Sequence, residues 1–341
     1  MRTPPAPFVV AAIAGAAYAV TAAPGLTWLD AGELGAAAHE LGVAHPPGVP
    51  VFALLHKLVM LTVPIGDVAF RGNLASGLLA MAAIALLVRA GRALDLPTGA
   101  AALGATWAAL APLMVLHATT IEVYTGAAAA TAALLWAVAQ LARSGDVRWA
   151  IAIAFGGGLA AGHHAELRLL GIAALPALIG AARRRPRLVP ALLIAGVAGA
   201  CCLLYLPLRA STEPWRNWGD PSTSAALWAH WTGARIRAAF GGQFGAFDPE
   251  ALRLFAGLLT DAPLLTACGL AGLALLPRAP GGWLPGLVWL LDSAYAVTLN
   301  PMGLADRQNG LPGQIALGVG AAAALALLAR RLPRRASLAA G

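Results

Sequence analysis

The stretch Val49–Val63, with the sequence VPVFALLHKLVMLTV, is apolar except for His56 and Lys57 at its centre, and Pro50 and Pro64 bound it. A helix that crosses a membrane needs about 20 mainly apolar residues, so this stretch is short for one. Longer apolar runs follow it along the chain. Whether Val49–Val63 crosses therefore decides on which side of a membrane every later loop lies.

The composition of the whole chain is that of a membrane protein. Of its 341 residues, 59% are hydrophobic and 11% are charged, whereas about a quarter of the residues of a soluble domain are charged. The net charge of +8 lies in short clusters between apolar runs, which indicates membrane topology rather than nucleic-acid binding. About ten candidate spans lie at residues 8–24, 71–89, 98–118, 122–142, 149–163, 166–182, 188–207, 254–277, 283–300 and 312–330.

The arginine clusters choose between the two topologies. If Val49–Val63 turns back instead of crossing, the clusters at 183–187 and 330–335 are cytoplasmic, as the positive-inside rule requires. If it crosses, both clusters lie outside. We therefore predict about ten crossings with both termini in the cytoplasm, in a bacterial inner membrane. The predicted organisation is one domain over residues 1–335, with outer loops 25–70 and 208–253 and a short cytoplasmic tail at 336–341.

This topology places the polar segments of unusual composition on the outer face. Ionisable residues beside a membrane cost free energy unless they face a cavity or a partner, so their clustering predicts a site. The segments are 28–50, 117–124, 163–168, 209–250 and 300–309.

The first of these segments supports two compatible interpretations. Asp30 suits a helix N-cap with Glu33 as the partner in a capping box, and Leu29 with Leu34 suits the hydrophobic staple. Alternatively, one carboxylate beneath a cavity takes a proton from an attacking hydroxyl. His45 follows in a His-Pro-Pro-Gly turn that its prolines keep out of a helix, either as a surface residue or within reach of the acid.

The later polar segments add candidates that also have plainer interpretations. Glu122 lies at the mouth of a span, and Tyr124 suits the aromatic belt of a membrane interface. The adjacent His163 and His164 point about 100° apart on a helix and so rarely bind one ion together; we expect one in the cavity and one at the interface. Arg209 emerges at headgroup depth, where its guanidinium suits a phosphate.

The long outer segment also predicts an amphipathic helix from Thr223 to Phe240, with tryptophans suited to an interfacial anchor. Asp220 precedes it in a turn. The last outer turn contributes Asp306, which alone indicates little.

Taken together, five motifs resemble the protein O-mannosyltransferase-like family of GT-C membrane glycosyltransferases. They are DAGE at 30–33, LGVAHPPG at 41–48, EVY at 122–124, YLPLR at 205–209 and NWGDPST at 217–223. The resemblance covers residues 8 to about 240 in the order of the family, and the turn at Asp306 is similar to a later part.

The resemblance implies an all-α integral membrane bundle of about ten helices, with an amphipathic helix in the first outer loop and another in the long outer loop. It implies a polyprenyl-phosphate-linked sugar, such as mannose, as donor and a hydroxyl of a protein or glycan as acceptor. The implied catalytic residues are Asp30 and Glu33. The implied substrate and donor residues are His45, Glu122, Tyr124, His164, Arg209, Trp218, Asp220 and Asp306.

The residues themselves fit inverting transfer from a lipid phosphate. The leaving group is already good, so the reaction needs a base such as Asp30 or Glu33 and a cation such as Arg209. A divalent cation could bind Asp30, Glu122 and Asp220, although their spacing does not require one.

Two alternatives remain, a transporter or flippase and an inactive scaffold with the same fold. A transporter favours buried charges at mid-membrane and broken helices. Most ionisable residues here lie at span ends, and Asp292 is the main mid-span exception.

Overall fold

A computed structural model describes residues 6–239, 241, 249–300 and 302–331. Regular structure in this part of the chain is helical, apart from an isolated parallel bridge between Val43 and Asn217. The helices are α1 (Ala6–Thr21), α2 (Ala31–Glu40), α3 (Pro50–Thr62), α4 (Val68–Ala93), α5 (Thr98–Leu110), α6 (Pro112–Ala118), α7 (Tyr124–Ser144), α8 (Val147–Ala161), α9 (Ala165–Ala173), α10 (Leu175–Arg184), α11 (Val189–Ala200), α12 (Tyr205–Ala210), α13 (Ser224–Trp231), α14 (Ala234–Ala239), α15 (Pro249–Thr260), α16 (Pro263–Leu273), α17 (Leu284–Ala294), α18 (Met302–Ala305) and α19 (Leu311–Arg331). A π-helical segment, Tyr295–Leu299, continues α17.

Several of these helices have the length and composition of membrane spans, as an integral membrane protein requires. Among the described residues, 4 continuous helical stretches are long and apolar enough to cross, or up to 7 if each bent pair of helices is one span. The four are Val68–Ala93, Tyr124–Ser144, Pro186–Ala210 and Leu311–Arg331. The number of crossings and the single-domain organisation stay predictions, and the tail at 336–341 lies outside the described residues.

Three of the predicted spans are bent rather than straight. The bends are 68° between α5 and α6, 40° between α9 and α10, and 97° between α15 and α16. Each second helix has a proline in its first turn, namely Pro112, Pro176 or Pro263. Proline lacks the backbone N–H and its ring clashes with the preceding turn, so a helix readily restarts there in a new direction.

Helix α3 is the short apolar stretch on which the topology depends. Its 13 residues extend about 20 Å, against about 30 Å for the hydrocarbon core of a bilayer. It packs on α2 and α4, with His56 fully buried. The Lys57 Nζ donates to the backbone oxygen of His39. Its length agrees with the prediction that it does not cross, and that prediction stays open.

Glycines bring the central helices into backbone contact. A Cβ on Gly272 of α16 would collide with the backbone oxygen of Gly320 on α19, and one on Gly104 of α5 with the oxygen of Gly318. Small residues at such crossings let helices in lipid approach closely. Helix α19 is consequently the most buried of the long helices and forms the centre of the bundle.

The loops that carry the polar segments meet at one end of the bundle, which we call the polar end. The backbone N–H of Ala23 donates to the oxygen of Thr119 at 2.9 Å. The amide of Asn73 donates to the oxygens of Ala23 and Gly25. The indole of Trp231 donates to the oxygen of Ala161 at 2.9 Å. These contacts join the first loop to α4 and its neighbours, and the long loop to α8.

The predicted helix from Thr223 to Phe240 is two short helices. Helix α13 ends at Trp231, Gly233 follows with a φ of 69°, and α14 begins at Ala234. A residue in this left-handed region commonly ends a helix, and glycine adopts it without strain. Phe240 lies outside the described residues.

Candidate active site

Asp30 lies directly before α2, and its side chain does not cap that helix. The residue occupies the N-cap position with helical φ and ψ and makes no capping hydrogen bond, so the capping interpretation was wrong. Its Oδ2 instead accepts a hydrogen bond of 3.2 Å from Nε2 of Gln308. The side chain is 40% exposed, and the same Oδ2 is 4.0 Å from Nε2 of His45. The acid is thus held from one side and open to a ligand.

Glu33 binds His45 through both of its oxygens. Oε1 accepts the backbone N–H of His45 at 2.9 Å, and Oε2 lies 2.6 Å from the ring Nδ1. The glutamate therefore fixes both the backbone and the ring of His45. With Nδ1 bound to Glu33, the ring presents Nε2 to Asp30.

The turn that carries His45 is shaped for this contact. The backbone N–H of Gly48 donates to the oxygen of His45, and Gly48 has a φ of 90°, a conformation that glycine adopts freely. A Cβ at Gly48 would collide with side-chain atoms of Leu206 and His230. Glycine is therefore the residue that lets the turn pack beneath α12 and α13.

The charges around His45 and Glu122 favour protonation of both side chains. Burial alone would lower the pKa of His45, but the hydrogen bond and charge of Glu33, aided by the charges of Asp30 and Glu122, raise it above its ordinary value. Glu122 is 4% exposed. Burial, together with the charge of Asp30, raises the pKa of its carboxyl to about 8. At neutral pH the site can thus hold a neutral acid beside a carboxylate.

A chain of polar contacts fixes the backbone of Glu122. Its N–H donates to Oγ of Ser76 at 3.2 Å, and this Oγ lies 3.1 Å from Nε2 of His56. The other ring nitrogen of His56 donates to the oxygen of Phe52 at 3.1 Å. His56 thus links α3 to the turn before α7, a role that the sequence did not predict.

The two adjacent histidines have different surroundings, and neither lies at a surface. His163 is buried and its Nε2 donates to the oxygen of Val123 at 2.9 Å, which corrects the prediction that one histidine lies at the interface. His164 packs edge-on against the ring of Tyr124, with centroids 5.3 Å apart. Its Nδ1 lies 3.6 Å from Oε2 of Glu166. Tyr124 and His164 are therefore in contact, and their place in one substrate cavity stays a prediction.

Arg209 donates hydrogen bonds to the backbone of the first loop. Its Nε donates to the oxygen of Leu41 at 2.6 Å, and its Nη2 lies 3.3 Å from that of Glu40. The hydroxyl of Tyr205 donates to the oxygen of Gly42 at 2.8 Å. The segment after α2 is therefore held by α12, and two of the three nitrogens of Arg209 are already used.

The three remaining predicted residues do not converge on Asp30. Trp218 is half-buried in a cluster around Val43 and Leu206, with its backbone N–H donating to the oxygen of Val43. Asp220 is exposed and its Oδ1 accepts a bond from Asn217. Asp306 is exposed as well.

Gln308, two residues after Asp306, is the residue of this turn that reaches the site. Nε2 of His117 donates to the backbone oxygen of Arg307 at 2.7 Å, and the Arg307 guanidinium pairs with Asp261. These two contacts fix the turn beside Asp30. Sequence reasoning missed Gln308 because a neutral amide carries no charge signal, although the turn itself was recognised.

A second group that the sequence did not predict lies between α9 and α17. Oδ2 of Asp292 accepts the backbone N–H of Gly313 at 2.8 Å, and its carboxyl lies beside that of Glu166. Arg168 follows Glu166 by two residues, and its Cζ lies 4.2 Å from the ring centroid of Trp231. From the sequence, Asp292 is only an ionisable residue in the middle of a predicted span, with no predicted partner.

The described residues do not assemble a recognisable metal centre. No group of three or more histidine, cysteine, aspartate or glutamate side chains among them could hold a metal ion. Asp220, one of the three oxygen donors considered for a divalent cation, bonds Asn217 instead.

Part of the chain that carries the candidate site is similar to a known protein family. Residues 30–187 match the family model described as the Protein O-mannosyl-transferase TMEM260 N-terminal domain. Over this region the chain is similar to that O-mannosyl-transferase family. Over 78 residues, 23% of the chain, it is 49% identical to the mouse (Mus musculus) Protein O-mannosyl-transferase TMEM260, and the match spans 11% of that protein.

The fold of the chain is of the GT-C type. It is similar to the crystal structure of ArnT from Cupriavidus metallidurans bound to undecaprenyl phosphate, with a TM-score of 0.65 and 15% identity. The similarity covers 93% of this chain and 59% of that one. The prediction of an all-α GT-C membrane bundle is thus confirmed.

The family match covers one part of the candidate site. Its span of 30–187 includes Asp30, Glu33, His45 and Glu122, and also Tyr124, His164 and Arg168. It excludes Gln308 and the predicted residues Arg209, Trp218, Asp220 and Asp306. The roles of all these side chains stay predictions.

Proposed function

We propose that the chain is an inverting glycosyltransferase that moves a sugar, mannose first among the candidates, from a polyprenyl-phosphate carrier to a hydroxyl of a protein or glycan. The carrying observation is the group formed by Asp30, Gln308 and the Glu33–His45 pair. It presents one carboxylate, partly exposed and held from behind, at the polar end of a GT-C bundle.

The chemistry balances with Asp30 as the base. Gln308 binds Oδ2, which leaves Oδ1 to accept the proton of the acceptor hydroxyl. The acceptor oxygen forms a bond to the anomeric carbon of the sugar while the bond from that carbon to the phosphate oxygen breaks. Its electron pair leaves with the polyprenyl phosphate. One displacement by one base inverts the anomeric centre.

The other residues support this displacement. Protonated His45 places a positive charge next to the developing negative charge of the phosphate, and Glu33 orients it, so we assign Glu33 to positioning. Glu122, neutral at pH 7, can donate a hydrogen bond to a sugar or phosphate oxygen. Donors fixed in advance at developing charge give the largest part of such catalysis.

Sidedness follows from the arginine clusters. We place the polar end at the extracytoplasmic face, because Arg183–Arg187 and the C-terminal arginines are then cytoplasmic. Both termini are cytoplasmic in this arrangement.

A transfer assay tests the function. The purified protein in detergent would be given polyprenyl-phosphate mannose and serine- or threonine-containing peptides or glycans. Asp30→Asn should lower transfer roughly 100-fold or more, as loss of a general base does. Glu40→Gln, a change at an exposed acid of the same end, is the matched control and should transfer normally. Equal transfer by Asp30→Asn and wild type contradicts the assignment of Asp30.

The transporter is the second candidate, because the helix pairs bent by 68° and 97° and the buried Asp292 are features of transporters. Transport needs two separated compartments, whereas sugar transfer proceeds in detergent. Movement of a lipid-linked sugar across a vesicle membrane without any transfer product would favour the transporter.

A further inference from the structure

The guanidinium of Arg168 is held against an aromatic ring, and two of its nitrogens have no hydrogen-bond partner among the described residues. It lies near the start of α9, and its Cζ is 4.2 Å from the centroid of the Trp231 ring. The indole is itself fixed, since its N–H donates to the oxygen of Ala161 at 2.9 Å. Stacking on an aromatic face favours a guanidinium and fixes its plane.

Two nitrogens of this guanidinium are buried and unpaired. Nε and Nη2 of Arg168 are shielded from water and have no hydrogen-bond partner among the described residues. A buried charged donor without a partner costs more free energy than a satisfied one contributes, so it needs an explanation. Glu166 provides none, because it lies beside Asp292 and faces His164.

Arg209 offers a contrast within the same protein. Its Nε and Nη2 are bound to the oxygens of Leu41 and Glu40. The guanidinium that the sequence predicted for the phosphate is thus occupied by backbone, whereas the same two nitrogens of Arg168 remain for a ligand.

Helix α13 connects Arg168 to the site around Asp30. Its last two residues face two neighbours: Trp231 stacks on Arg168, while the ring of His230 lies beside the backbone oxygen of Ala44. Ala44 directly precedes His45. The charges of Arg168 and Asp30 both act on His164, so both groups lie within electrostatic reach of that histidine.

We propose that the Nε–Nη2 edge of Arg168 binds the phosphate of the lipid-linked donor and of the polyprenyl phosphate that leaves; this inference rests on the proposed function. Two parallel N–H groups on one edge match two oxygens of a phosphate. The Nε–Nη2 edge is shielded in this structure, so a neighbouring group must move when the phosphate binds. Arg168 thereby neutralises the leaving group while Asp30 takes the proton.

Direct binding separates this proposal from the proposed function. The purified protein in detergent would be titrated with undecaprenyl phosphate, with undecaprenol and with inorganic phosphate, and binding followed by change in intrinsic tryptophan fluorescence and by native mass spectrometry. Arg168→Gln should weaken undecaprenyl phosphate binding by roughly 10- to 100-fold and leave undecaprenol binding unchanged. Tight binding of inorganic phosphate alone would assign the subsite to a free anion and overturn the lipid-phosphate proposal.

The matched control is Arg89→Gln. Arg89 of α4 also stacks on aromatic rings, with its Cζ 5.1 Å from the ring centroid of Trp136, but it lies about 24 Å along α4 from Asn73 at the polar end. This variant should bind undecaprenyl phosphate as wild type does. Arg168→Lys keeps the positive charge and loses the paired N–H donors, so it should bind undecaprenyl phosphate with intermediate strength. It also shows whether the protein folds with another side chain at this position.

The outcomes are distinct. Wild-type affinity in a folded Arg168→Gln overturns the phosphate assignment and leaves Arg168 as a counter-charge for Glu166 and Asp292. If Arg168→Gln does not fold, wild-type affinity in Arg168→Lys overturns it instead. Failure of the wild type to transfer sugar, with phosphate binding still dependent on Arg168, overturns the proposed function and keeps the subsite.

Discussion

Glu33→Gln perturbs the best-defined contact of the site. The glutamate makes a 2.9 Å bond to the backbone N–H of His45 and a 2.6 Å contact with its ring, and both side chains are mainly buried, at 18% and 25% exposure. Glutamine keeps an acceptor for the backbone N–H and loses the charge that faces Nδ1. Loss of one hydrogen bond to a charged group costs about 1.5–3 kcal/mol.

The cost depends on pH in a defined direction. The pKa of His45 is raised in the folded protein, so its protonation stabilises the fold. That contribution is fully present below the ordinary pKa of histidine, about 6.5, and is lost as pH rises through the folded pKa. Glu33→Gln should therefore lower the midpoint of thermal unfolding most at pH 5.5, by roughly 2–4 °C, and less at pH 9.

NMR titration of labelled histidine rings in detergent measures the cause directly. The His45 signal, assigned by its absence in His45→Asn, should titrate at lower pH in Glu33→Gln than in wild type. The control is Glu40→Gln, which makes the same change at an exposed position of the same helix and should leave the signal unmoved. An unchanged His45 midpoint in Glu33→Gln would refute the reasoning.

Three further predictions test other parts of the structure. Gly272→Leu should destabilise the fold by more than about 1–3 kcal/mol, because its side chain meets the backbone of Gly320, whereas Gly257→Leu, with open space around it, should not; thermal unfolding compares them. Wild-type transfer should fall as pH rises through about 8, where Glu122 loses its proton, and Glu122→Gln should abolish that step in the pH profile. Tyr205→Phe removes the bond to the Gly42 oxygen and should cost about 1 kcal/mol; an unfolding midpoint equal to wild type would contradict it.

The fold could be predicted because its cause is local. Each long apolar run forms helix, and Asp30, Glu33 and His45 are close because a short helix and a proline turn separate them by few residues. The bends at Pro112 and Pro263 carry a visible signal, a proline inside an apolar run. The angle they take depends on packing with other helices, which the sequence order does not contain.

The chemistry of single side chains was harder to predict where their partners are distant in sequence. Arg209 and Arg168 are the same residue type near the polar ends of two helices, and only the structure shows that the first bonds the carbonyl of Leu41 while the second stacks on Trp231. The N-cap at Asp30 was predicted wrongly because the residue has helical φ and ψ, while its Oδ2 accepts a hydrogen bond from Gln308, far along the chain.

Tyr205, Arg209 and Trp218 donate hydrogen bonds to the three consecutive backbone oxygens that follow α2. The region 30–187 that matches the family model contains Asp30, Glu33 and His45 but none of these three donors. A fragment that stops at residue 187 would retain Asp30, Glu33 and His45 and lose these three contacts, so the later helices fix where the first loop ends.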